Sequence, residues 1–207
     1  MSEAFALGDS GARRPWTEVI ALRRRGLWPG LVLTTVAAFG GWVWLGAEFA
    51  AAWAAGAFGM MAFNRLLFWR WIERRAPTHA LATEWTVAAA TFAFTVTYCA
   101  LPFGLTTLAD RTTAELAGVA MLAAIALSAT TEFVISRRIG LASLAGMFVI
   151  CMAITVWRAA DEPIANRLFA ILAVTGFFAG LIQYAINRVR ADEQLRRALA
   201  QAEAANI

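Results

Sequence analysis

Apolar residues fall along this chain in blocks of near-membrane length, separated by short polar stretches. Uncharged residues run from Gly26 to Ala47, are interrupted by Glu48, and resume through Asn64 until Arg65. About 20 apolar residues span the hydrocarbon core of a bilayer, so this long run predicts a helical hairpin turning near Glu48 rather than a single span. Four further blocks cover residues 83–103, 114–135, 139–157 and 167–186. The pattern predicts an all-α, polytopic membrane protein with six transmembrane helices. Ahead of them, residues 1–26 are polar and end in Arg23, Arg24 and Arg25, with Trp16, Val19, Ile20 and Leu22 forming a modest apolar face. A short cytoplasmic segment with an interfacial helix is expected there.

The last block does not stop at the membrane boundary. RLFAILAVTGFFAGLIQYAI (Arg167 to Ile186) runs directly into NRVRADEQLRRALAQAEAAN, with no Pro or Gly after Gly180. The last helix is therefore expected to continue into a cytoplasmic helix. Three regions follow: the N-terminal segment 1–26, a transmembrane domain 27–186, and a linker helix 187–207. The chain stops at Ile207, where such a helix should begin to deliver its output, so an effector beyond it is expected.

Composition narrows the class. With 60% hydrophobic residues and a mean hydropathy of +0.62 over 207 residues, the chain is too apolar for a soluble domain. All 18 basic residues are Arg. A pI near 10 would suggest nucleic acid in a soluble protein, but here the Arg residues flank the apolar blocks, where positive charge sets orientation. Nucleic-acid binding is not indicated. With the N-terminus placed in the cytoplasm, only Arg111, Arg158 and Arg167 of the 18 lie outside. Both termini are therefore expected to be cytoplasmic. Trp28, Trp69, Trp71 and Trp85 fall at the inner boundary and Trp42, Trp44 and Trp157 near the outer one, as membrane belts do. The outward loops are very short, so any stimulus is read within the bilayer, at its surface, or through a membrane-protein partner. No removable signal peptide is seen, since MSEAFALGDSGARRPWTEV lacks an apolar core.

Few residues point to chemistry. Glu132, near the inner end of the fourth block, is a candidate signalling residue because a carboxylate is costly to bury in a membrane; Arg137 and the headgroups are within its reach. Glu48 and Glu84 are weaker boundary residues. Cys99 and Cys151 lie at similar depth and can meet if the third and fifth helices are neighbours, although a buried free Cys is usually a small packing residue. His79 is the single histidine, too little for a bis-histidine haem or a zinc site. No GxSxG, HExxH or P-loop occurs. The chain therefore presents no catalytic, cofactor-binding or metal-ligating residues, and no cofactor is expected.

Packing signals are richer. Gly176 and Gly180 form a GxxxG in the sixth block, and AAAWAAGAFG (Ala50 to Gly59) is rich in small residues; such faces let helices approach closely in lipid. Contact within the bundle is the preferred expectation for these glycines, ahead of a dimer contact. In the tail, Leu195, Leu199 and Ala202 follow 4 and 3 spacing, fewer than two heptads, and Asp192 to Arg196 and Glu193 to Arg197 are i,i+4 pairs.

The tail DEQLRRALAQAEAAN (Asp192 to Asn206) resembles the linker that precedes the dimerisation and phosphoacceptor domain of bacterial sensor histidine kinases, especially hybrid ones. The resemblance covers about 15 residues, and neither the phosphoacceptor box nor the ATP-binding domain of that family is present in this chain. It implies the sensor module of a two-component system in a bacterial inner membrane, acting as a homodimer through the sixth helix and the cytoplasmic helix. The same architecture fits the membrane domain of a diguanylate cyclase. A different class also fits: a self-contained membrane protein that is a structural subunit of a larger complex.

Overall fold

The computed structural model describes residues 27–65 and 80–205. The expected N-terminal interfacial helix, and the Arg-rich loop with Trp69, Trp71 and His79, lie outside the described residues. Everything described is helical or a short turn: α1 Leu27–Leu45, α2 Ala47–Phe63, α3 Ala80–Thr107, α4 Thr112–Ile135, α5 Arg137–Arg158 and α6 Ile164–Ala205.

Long apolar blocks become helices because a helix satisfies its backbone hydrogen bonds internally, which lipid demands. The polar residues within the blocks follow the same rule. Thr34, Thr97, Thr155 and Thr175 turn their hydroxyls back onto the carbonyl four residues earlier, at 2.7–2.9 Å, so each donor is satisfied inside its own helix. By length and composition, Ala82–Thr107, Thr112–Ile135, Arg137–Arg158 and Ile164–Leu199 are suited to cross a membrane, whereas Gly30–Leu45 and Ala47–Phe63 are apolar but shorter. At 1.5 Å per residue the 17 residues of α2 reach about 26 Å, against a core about 30 Å thick. Of the six expected spans, four thus meet the length criterion. The first two form the expected hairpin.

Two of the connections are single residues. Gly46 joins α1 to α2 at φ 91° and ψ 164°, a conformation open essentially to glycine alone. Ser136 joins α4 to α5 and serves both. Its backbone N–H donates to the Glu132 carbonyl at 2.8 Å, closing α4, and its hydroxyl accepts from the Ile139 N–H at 3.4 Å, capping α5. So tight a corner requires Gly140, where a Cβ would stand 2.2 Å from the Phe133 Cα.

α3 and α5 make the most extensive contact and α4 packs against both. Small residues set that closeness: a Cβ on Gly146 of α5 would meet the Phe92 carbonyl oxygen of α3 at 3.1 Å, and the Thr95 and Ser143 hydroxyls bond across the same seam at 3.1 Å. The α1–α2 hairpin rests mainly on α3. Trp53 anchors it, donating its indole N–H to the Thr97 carbonyl at 3.1 Å and meeting Tyr98 edge-on at 5.7 Å. Tyr98 is also hydrogen-bonded to Thr34 of α1.

α6 lies at the edge, across α4 and α5. Only 11% of its most apolar window is buried, against 44% for α3. One stripe of it, including Val174, Phe178, Ala185 and Val189, joins the cluster that contains Ala129, Phe133, Leu144 and Met147. Phe178 meets Phe148 edge-on at 5.2 Å.

Candidate functional site

The chemistry-bearing side chains gather at the two ends of the bundle. At the end that carries Ser136, the carboxylate of Glu84 in the first turns of α3 is the hub. It accepts from the Ser136 hydroxyl at 2.9 Å and pairs with Arg138, whose guanidinium also lies 5.7 Å from the centre of the Trp85 ring. One carboxylate thus ties the start of α3 to the α4–α5 corner through charge-assisted bonds, which are stronger than neutral ones. The neighbouring Arg137 reaches the other way, to Glu193 on α6, at 3.9 Å, with both side chains more than half exposed.

That second contact joins the corner to the part of α6 that has left the bundle. The helix is unbroken over 42 residues, Ile164–Ala205, about 63 Å at 1.5 Å per residue. Val189 is the last residue of its buried stripe. Beyond it, Leu195 and Leu199 are 59% and 55% exposed.

At the opposite end, Arg158 closes α5. Its Nε donates to the Thr106 carbonyl at 2.7 Å and its guanidinium pairs with Glu115 at the start of α4, so the ends of α3, α4 and α5 are clamped together. Arg167 donates to the carbonyls of Glu162 and Ala160, an arrangement that satisfies acceptors left open where α5 ends. Between α5 and α6 at this end is an open wedge of about 440 Å³, lined by Ile154, Thr155, Ala159 and Ala170 with Arg158 and Asn166 at its polar side.

Glu132 is buried, 7% exposed, one turn before the corner. Cys99 and Cys151 share the main apolar cluster, and both are free thiols; α3 and α5 are indeed neighbours. Among the described residues, no group of three or more His, Cys, Asp or Glu is placed to hold a metal ion. Gly176 and Gly180 depart from the preferred expectation that they pack within the bundle: both are exposed, with open space where a Cβ would stand. The reason is angular. At 3.6 residues per turn they fall on the side of α6 turned away from Phe178 and Ala185. Glu84 and Ser136 are the residues whose importance sequence reasoning missed. Glu84 sits at the same predicted depth as Arg137 and Arg138, a signal that opposite charges can meet, but depth does not say which helices are adjacent.

No family model, curated protein or solved structure matches this chain.

Proposed function

We propose that this chain is the membrane-embedded input module of a bacterial two-component sensor kinase. It spans the inner membrane six times with both ends cytoplasmic, and works as a homodimer through α6. The observation that carries the reading is the unbroken helix Ile164–Ala205, which packs into the bundle along one stretch and projects beyond it along the next. A helix of that kind transmits any shift in its packed half to its free half, because its hydrogen-bonded backbone moves as a rod. A stimulus that favours one of two packings of α6 on α4 and α5 then changes what an effector at its end experiences. The Arg137–Glu193 contact suits this role, since an exposed pair contributes less than about 1 kcal/mol and is easily exchanged.

Two experiments test the reading. Sequencing the coding region past Ile207 should reveal a phosphoacceptor histidine box; a stop codon there removes the kinase and favours the structural-subunit reading. In the intact parent, a Gly-Ser insertion at Arg190 should uncouple stimulus from phosphorylation, and unchanged signalling would sink the coupling mechanism.

A further inference from the structure

Three sulfur-bearing side chains of α3 and α5 occupy neighbouring levels of the bundle. The two helices run in the same direction, since Glu84 meets Ser136 and Arg138 at their starts and the Thr106 carbonyl meets Arg158 at their ends. Between these points the bond between the Thr95 and Ser143 hydroxyls fixes the register. One turn beyond it stand Cys99 on α3 and Met147 on α5, and one turn further along α5 stands Cys151. Four residues advance a helix by about 6 Å and rotate it by about 40°, so Met147 and Cys151 lie one above the other on a shared face. The approach of Gly146 gives the same level independently. Gly146 lies against Phe92, Thr95 and Val96; Cys151 follows it by five residues, as Cys99 follows those three by seven, four and three.

Their surroundings suit one class of ligand. Cys99 and Met147 are 0% and 2% exposed, and Cys151 packs against the cluster that contains them both, among Ala126, Ala129, Leu144 and Phe178. Both thiols are free, and among the described residues no hydrogen bond engages either of them. Hard cations take oxygen ligands and structural zinc takes four nitrogen or sulfur ligands; neither set is assembled among the described residues. The donors that do come together are two thiols and a thioether.

We propose that Cys99, Met147 and Cys151 form a binding site for a soft monovalent metal ion, Cu(I), held between α3 and α5. Thiolate and thioether sulfur select this ion, and three such donors can enclose it without water. A cysteine coordinates as its thiolate, so binding releases the thiol proton. The first thiolate cancels the charge of Cu(I), which keeps the complex neutral where an isolated charge is costly. Met147 adds a donor without adding charge, and this distinguishes the site from a bare pair of thiols. The same cluster contains Phe178 and Ala185 of α6, so an ion entering it adjusts the surface on which α6 packs. The site itself stands on α3 and α5 alone and does not rest on the signalling reading.

The test titrates the full chain in dilute detergent, without oxygen and with ascorbate as reductant, with Cu(I) against a chromophoric Cu(I) chelator. The chain should withdraw a single Cu(I). Cys99→Ser and Cys151→Ser should each weaken binding by more than about tenfold, since even a residue that only orients a metal ligand is worth that much. Met147→Leu, which conserves volume, should weaken it several-fold. Met152→Leu, about 100° around the helix from Cys151, should leave it unchanged. X-ray absorption of the loaded, unsubstituted chain should show a shell of sulfur alone, a readout independent of how any variant folds. Failure to compete with the chelator, a shell containing nitrogen or oxygen, loss of binding at one cysteine but not the other, or equal affinity in Met147→Leu and the parent overturns the proposal. No effector takes part, so those results leave the signalling reading standing, and the Gly-Ser insertion at Arg190 in turn leaves the three sulfurs untouched.

Discussion

Replacing Gly140 by Ala adds one methyl group at the tightest point of the bundle. The new Cβ would stand 2.2 Å from the Phe133 Cα and 2.4 Å from its Cβ and backbone nitrogen. These are backbone atoms and the root of a side chain, so no rotamer change relieves the contact, and the helices must separate at Ser136. Overpacking in a well-filled interior costs about 1–3 kcal/mol; a collision with backbone belongs at the upper end. Alanine is a better helix former than glycine by up to about 1 kcal/mol, less in the first turn of α5, where Gly140 sits. The expected net loss is about 2 kcal/mol. Gly176→Ala is the control, because its Cβ would meet nothing within 4 Å and the propensity gain is unopposed. Reversible unfolding in dilute detergent, followed by circular dichroism, should therefore separate the two variants by about 3 kcal/mol, the sum of that loss and up to about 1 kcal/mol gained. A Gly140→Ala protein as stable as the parent would show that α4 and α5 do not approach as closely as the corner requires.

Further outcomes follow from the polar nodes. Glu84→Ala should destabilise the bundle by about 1–3 kcal/mol, since it deprives both Ser136 and Arg138 of their acceptor, and Glu84→Gln should cost less because an amide oxygen still accepts; equal losses for the two variants would contradict the node. A double-mutant cycle of Thr95→Val and Ser143→Ala, measured by the same unfolding, should give a coupling of about 0.6 kcal/mol, typical of hydrogen bonds between membrane helices, and strict additivity would mean that the two hydroxyls do not meet. Arg137→Glu should change stability by less than about 1 kcal/mol while speeding amide exchange in residues 190–199; unchanged exchange would remove Arg137 from any role in holding the extension.

The parts of this fold legible in the sequence are those the solvent dictates. A bilayer requires long uncharged runs, and the blocks ending near Ile135 and beginning near Arg167 stand out for that reason. Boundaries moved where local bonding extended a helix. The block drawn as 83–103 is the helix Ala80–Thr107, in part because the hydroxyls of Thr106 and Thr107 return to the carbonyls of Pro102 and Phe103 and carry it past the proline. Adjacency was not legible. Glu84 read as an unremarkable boundary carboxylate because nothing along the chain says that α3 begins beside the α4–α5 corner. A GxxxG reads the same whether its partner is the next helix or another molecule; only the angular position of Gly176 and Gly180 relative to Phe178 separates the two.

The single-residue joints at Gly46 and Ser136 bear on how the protein tolerates foreign sequence. A joint of one residue has no slack. An epitope or fluorescent insert at Ser136 has to break either the end of α4 or the cap of α5, and one at Gly46 replaces a backbone conformation that other residues rarely adopt. A protease likewise finds no extended strand to bind at either place. Among the described connections, the stretches 108–111 and 159–163, which separate complete helices, are where labels can enter with less disturbance than at either joint. Cuts should appear at those stretches before either joint, dividing the bundle between α3 and α4 or between α5 and α6 and leaving α4 and α5 joined as one unit.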